Sequence, residues 1–150
     1  MRIEEEIKQK KFKNRAVKAA INILFTGSHI NIMQTHILKP YDISWQQFNI
    51  LRILKGRNGE PTPLKLLSAR MVDRSSNTSR LVEKLKNKGL VERLTNENDR
   101  RKVDIFITGA GLELVEEATI KMDEGLDKDI CHLTDEELEQ LNHLLDKFRG

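Results

Sequence analysis

A change of period at Gly89 constrains this chain more than any other feature. Before it, in RSSNTSRLVEKLKNKG, the residues Thr78, Leu81, Val82 and Leu85 fall at i, i+3, i+4 and i+7, which is one stripe of an amphipathic helix ended by the glycine. After it come two β-type runs, LVERL from Leu90 and KVDIFIT from Lys102, and in the second Val103, Ile105 and Ile107 alternate with Lys102, Asp104 and Phe106. The stretch TNENDRR joins the runs, and Asn96, Asn98 and Asp99 suit the tight backbone of a long turn. A helix and a hairpin that each have one apolar face must share a core. Ser75, Ser76, Asn77, Ser79, Arg80, Glu83 and Lys84 are then left on the outside of the helix.

The flanking sequence supplies more helices. Ile3, Ile7, Phe12, Ala16, Ala20, Ile23, Phe25 and Ile30 recur near helical spacing and predict one long N-terminal helix with a break near Gly27. KPYDIS is a turn, and Ser44 with Gln47 forms a capping-box pair opening WQQFNILRILKG, whose buried stripe is Phe48, Leu51 and Ile53/Leu54. Thr62 reads as an N-cap and Pro63 as the first residue of a short helix reaching Met71. Thr108 caps a helix from about Gly109, and Thr134 with Glu137 makes a second capping box. The fold class is mainly α with a small β-hairpin (α+β). It is a helix-turn-helix with a wing over residues 44–108, flanked by helical segments 1–38 and 109–150 in a single domain of 150 residues.

Composition excludes several alternatives. Cys131 is the single cysteine and cannot form an intrachain bridge, and no run of 18 apolar residues could span a bilayer, so the expected address is cytoplasmic with no membrane partner. The net charge of +3 says little, but its distribution says more. From Arg70 to Lys102 ten bases stand against five acids, whereas from Ala110 to Gly150 twelve acids stand against four bases. The middle of the chain attracts polyanions and its end repels them.

A helix fits the major groove of double-stranded DNA, and its first turns aim small polar and basic side chains at base edges and phosphates. Arg74, Ser75, Ser76, Asn77, Ser79 and Arg80 occupy that end, with Lys84 one turn on. Asn77 and Ser76 are the expected base readers, Arg80 a base or phosphate contact, and Lys84 a phosphate contact. Arg100, Arg101 and Lys102 form the basic tip of the wing, where an arginine can enter the minor groove. Asp99 beside them is expected to hold one arginine by a charge-assisted hydrogen bond.

These residues resemble the multiple-antibiotic-resistance regulator (MarR) family. DRRKVDIFIT is similar to that family's wing signature at Asp99, Arg101, Val103, Ile105, Ile107 and Thr108, with a slightly loose middle spacing, and SRLVEKLKNKGLVER resembles its recognition helix and exit into the wing. The resemblance implies a homodimeric winged helix-turn-helix transcriptional regulator, a repressor in the first instance, whose segments 1–38 and 109–150 are dimerisation helices. It also implies a near-palindromic operator and release by a small aromatic or apolar ligand, in a pocket near Phe25, Met33, Tyr41 and Trp45. The residues support the dimer independently, because the terminal helices carry more apolar face than a small winged lobe covers.

Other features read more plainly. Cys131 is expected to be an inert or partly buried thiol, since the family's peroxide sensors carry theirs in the first helix. His29 and His36 lie seven residues apart, too far to share one metal ion readily, and with His143 they read as structural or solvent-facing; no metal or cofactor is expected. No Gly-rich phosphate loop or nucleophile elbow points to an enzyme. Two rival functions remain: a sequence-tolerant architectural DNA binder, and a winged module that meets an acidic protein.

Overall fold

Side-chain caps set where most helices begin. The computed structural model describes residues 1–96 and 103–150. In order, the elements are α1 (Ile3–Glu6), α2 (Arg15–Leu38), a 3-10 turn (Lys39–Tyr41), α3 (Trp45–Lys55), β1 (Thr62–Pro63), α4 (Leu64–Arg70), α5 (Thr78–Asn87), β2 (Val91–Thr95), β3 (Val103–Ile107), α6 (Gly109–Ile130) and α7 (Asp135–Arg149). The expected capping boxes form at Ser44 with Gln47 and at Thr134 with Glu137, each satisfying backbone N–H groups that a helix start leaves without partners. Thr108 caps α6 by accepting from the Gly111 N–H at 3.1 Å.

The N-terminal region departs from the expected single helix. α2 runs through Gly27 without a break, and the interruption lies earlier, between Glu6 and Arg15. Lys8, Lys10, Lys11 and Lys13 would stack like charges at helical spacing there, and Lys8 takes a left-handed backbone (φ 54). Asn14 then starts α2 by accepting from the Val17 N–H at 2.8 Å, while Lys18 pairs with Glu4 at 2.5 Å to hold α1 beside it.

A second correction falls at Thr62 and Pro63. These residues form β1, paired with β3 at Thr62↔Ile105 and Pro63↔Asp104, so Pro63 is the N-cap of α4 and the helix starts one residue later than expected, at Leu64. Thr62 donates its hydroxyl to the Glu60 carbonyl at 3.0 Å instead of capping the helix. The resulting sheet has the order β1-β3-β2, and the β2–β3 hairpin is antiparallel from Val91↔Ile107 to Thr95↔Val103. Its alternation is imperfect. Asp104 is buried next to Ile105 and accepts from Asn96 Nδ2 at 2.6 Å, which satisfies a carboxylate that burial alone would penalise.

α3 is the centre of the molecule. It packs on α2, α4, α5, α6 and β3, and Phe48, Ile50 and Leu51 are fully enclosed. Leu38, Leu67, Val82, Leu85, Val91, Ile105, Val115 and Ala118 complete that core from every neighbouring element. The terminal helices are different. α7 has no buried residue, and the exposed large apolar side chains are concentrated at Val17, Ile23, Leu24, Phe25 and Ile32 of α2, Ile120 and Ile130 of α6, and Leu141, Leu144 and Phe148 of α7. No helix among the described residues is long and apolar enough to cross a membrane.

Candidate nucleic-acid interface

α5 is seated by its buried stripe and finished at both ends. Thr78, Val82 and Leu85 face the core, so Ser79, Arg80 and Lys84 point out. At the start, Asn77 Oδ1 accepts from the Arg80 N–H at 3.1 Å. At the end, Gly89 takes a left-handed backbone (φ +71), its N–H reaches the Lys86 carbonyl at 2.9 Å, and the Leu90 N–H reaches the Leu85 carbonyl at 3.0 Å. That is a Schellman closure, completed by the buried Leu85 and Leu90 side chains. Thr108 donates its hydroxyl to the Gly89 carbonyl at 2.7 Å, tying the end of α5 to the start of α6.

The turn between α4 and α5 is organised by Asp73. Its Oδ1 accepts from the Ser75 N–H at 3.0 Å and from the Ser75 hydroxyl at 2.6 Å, its Oδ2 accepts from Gln46 Nε2 of α3 at 3.3 Å, and its own carbonyl accepts from the Ser76 N–H at 3.2 Å. The Ser75 hydroxyl first, then Gln46, the Ser75 N–H and the Ser76 hydroxyl, push the Asp73 carboxyl down to about 2. Sequence reasoning gives Asp73 no role at the site, although an Asp two residues before a Ser is the signature of an Asx turn. Gln46, Asp73, Ser75, Ser76, Asn77, Arg80, Leu81 and Lys84 together line an open cleft of about 340 Å³.

The basic residues near α5 divide into held and free. Arg93 of β2 pairs with Glu83 at 2.9 Å and Lys86 with the same carboxylate at 3.6 Å, which keeps Glu83 below its usual pKa, Arg93 contributing most. Lys88 reaches back to Asp42, pairing with its carboxylate at 2.6 Å and donating to its carbonyl. Arg74, Arg80 and Lys84 are exposed, and no ion pair holds any of them among the described residues. Of the polar and basic residues of the sequence reading, Ser75, Ser76, Asn77, Arg80 and Lys84 come together around one cleft at the start of α5, while Arg74 and Ser79 are exposed beside it in the chain. Asp99, Arg100, Arg101 and Lys102 lie outside the described residues, between β2 and β3 in the chain.

The four aromatic and methionine residues considered for an effector pocket have different surroundings. Tyr41 lines a cleft of about 470 Å³ with His36, Ile37, Pro40, Lys121 and Lys128, and its hydroxyl donates to Glu117 at 3.1 Å. Met33 lines a neighbouring cleft of about 370 Å³ that shares His36 and Ile37. Trp45 packs its ring on Phe48 with centroids 5.8 Å apart, while Phe25 is 38% exposed on α2. His29 pairs with Asp129 of α6 at 3.0 Å, which joins α2 to α6. Cys131 is exposed rather than partly buried, because it sits at the C-cap of α6, where its Sγ lies 3.2 Å from the Lys128 carbonyl. Among the described residues, no group of three or more His, Cys, Asp or Glu side chains could hold a metal ion.

Comparison with known proteins places this arrangement. The model of the MarR family matches residues 43–103. The multiple antibiotic resistance protein MarR of Salmonella typhimurium is 33% identical over 112 residues, which span 74% of this chain and 76% of that protein. The homoprotocatechuate degradative operon repressor of Escherichia coli is 30% identical over 112 residues, spanning 75% and 74%. Among solved structures, a mutant MarR from E. coli complexed with operator DNA superimposes with a TM-score of 0.80 at 24% identity, covering 94% of this chain and 100% of that one.

Proposed function

The chain belongs to the MarR family, and on that premise we propose that it is a DNA-binding transcriptional regulator acting as a homodimeric repressor at a near-palindromic operator. The observation that carries the reading is α5 itself. It is a helix capped by Asn77, with Ser75 and Ser76 in the turn before it and Ser79, Arg80 and Lys84 exposed along it; Arg74 and Lys84 are exposed and in no ion pair among the described residues, and an antiparallel hairpin follows. In a major groove the hydroxyl and amide groups read base edges while Arg74, Arg80 and Lys84 neutralise phosphates. Arg100, Arg101 and Lys102, between β2 and β3 in sequence, meet the adjacent minor groove.

The terminal helices supply the second subunit. The apolar side chains left open on α2, α6 and α7 need a covering surface, and a second copy provides one by symmetry. Two α5 helices then sit about 34–36 Å apart, one turn of DNA. Occupancy blocks transcription, and a small aromatic or apolar anion bound in the clefts beside Tyr41 and Met33, between α2 and α6, relieves it by changing the tilt of the two lobes. A DNA reader of this kind works in the cytoplasm.

Selection of bound duplexes from a random pool, followed by a salt titration of the best sequence, tests the reading. The expected product is an inverted repeat with half-site centres about 10 base pairs apart. Weak, salt-sensitive binding to every duplex makes the protein an architectural binder instead, and absence of duplex binding at low salt makes it a protein-interaction module.

A further inference from the structure

Asp73 carries an inference that rests on the DNA-reading function and deepens it. A serine hydroxyl has one proton to donate and two lone pairs to accept with, and an ionised carboxylate accepts only. The 2.6 Å contact between the Ser75 hydroxyl and Asp73 Oδ1 therefore has the proton running from serine to aspartate. The Ser75 N–H donates to the same Oδ1, and Gln46 of the central helix α3 donates to the other oxygen, Oδ2, so the carboxylate is held on both oxygens in the position that takes that proton. Ser75 is otherwise exposed at the mouth of the cleft beside Asn77 and Arg80.

We propose that Asp73 is a specificity-determining positioning residue: it takes the only hydroxyl proton of Ser75, so that Ser75 meets the major groove as an acceptor alone. Acceptor-only character selects the bases that donate there. Adenine presents its N6 amino group and cytosine its N4 amino group, whereas guanine and thymine present carbonyl oxygens that a lone-pair-only serine repels. Without Asp73, the hydroxyl rotates to suit either kind of edge. Asp73 touches no base in this arrangement, and its effect passes entirely through Ser75.

The test uses the full-length protein and the duplex obtained by random-pool selection, with all four bases placed in turn at each half-site position. Affinities are measured for the wild type, Asp73→Ala, Ser75→Ala and the double variant. In the wild type, the position whose discrimination Ser75→Ala removes favours adenine or cytosine by about 3- to 10-fold, the worth of one hydrogen bond. Asp73→Ala, which leaves no side-chain oxygen to accept the hydroxyl proton, reduces that preference to less than about 2-fold, leaves preferences at other positions unchanged, and adds nothing when combined with Ser75→Ala. A uniform loss of affinity in Asp73→Ala with every base preference intact assigns Asp73 a purely structural role and overturns the inference. So does a position read through Ser75 that favours guanine or thymine, or a Ser75→Ala variant with unchanged discrimination everywhere. A wild type that enriches no sequence fails differently, because it removes the DNA-reading function together with the inference.

Discussion

Adding one methyl group at Gly111 is expected to destabilise the protein, and adding the same group two residues earlier is expected to do the reverse. A Cβ at Gly111 lies 2.2 Å from the Leu90 carbonyl oxygen and 2.8 Å from Ile107 Cγ1, inside the 3.0 Å that real Cβ contacts respect. The oxygen is backbone and already accepts from the Thr108 N–H at 3.1 Å, so it cannot turn aside without loosening the junction between the hairpin and α6. Overpacking of this kind costs about 1–3 kcal/mol, and a weakened hydrogen bond about 1 more. Replacing a helical glycine by alanine returns roughly 1 kcal/mol, which leaves a net loss of about 2 kcal/mol for Gly111→Ala. At Gly109 an added Cβ meets nothing within 4 Å and the backbone is not left-handed, so Gly109→Ala keeps only the gain, about 0.5 kcal/mol at this first helical position. Thermal unfolding at one fixed protein concentration reads both, with Tm lower by about 4–8 °C for Gly111→Ala and higher by about 1–2 °C for Gly109→Ala. Equal shifts, or a Gly111→Ala variant as stable as the wild type, would show that the close approach of α6 to Leu90 does not exist in solution.

Three further outcomes are expected. Leu144→Glu places a charge on the open apolar face of α7, and sedimentation should find monomer where the wild type is dimer; an unchanged mass removes α7 from the interface. Arg101→Ala should weaken operator binding and reduce the slope of log K against log salt by about 0.9, one counterion; an unchanged slope in the titration denies the wing a phosphate contact. The Asp73 carboxyl is lowered from 3.8 to about 2, so its contribution to stability is fully present above the unfolded value and is lost as pH falls toward the folded one. Asp73→Asn should therefore be less stable than the wild type at neutral pH, with the gap closing between about pH 4 and 2 in acid titrations followed by circular dichroism. A gap independent of pH contradicts the assignment.

Local chemistry is legible in the sequence, and long-range pairing is not. The starts at Ser44, Thr108 and Thr134 and the stop at Gly89 can be read because each cap needs only its own neighbours. β1 cannot, since its two residues become a strand only by meeting Ile105 and Asp104 of β3, more than forty residues away. The break in the N-terminal helix does not fall at Gly27 because glycine is a weak breaker in a helix, whereas the crowded lysines from Lys8 to Lys13 look like mere spacers until the helix is seen to stop among them. At the candidate site, charge and small polar residues point to α5, yet nothing in the spacing reveals that Glu83 occupies Arg93, that Asp42 occupies Lys88, or that Asp73 holds the Ser75 hydroxyl.

Thr108 is a shared bearing for two arms of unequal length. Its hydroxyl grips the end of α5 while accepting from the first turn of α6, so the end of one helix and the start of the other are held at nearly one point. α6, with 22 residues, is about 33 Å long and α5, with 10, about 15 Å. A common rotation of about 5° about that point would carry the far end of α6 through about 3 Å and the N-terminal end of α5 through about 1.3 Å. One side chain thus sets where two helices of unequal reach meet, the longer extending about twice as far from the junction as the shorter.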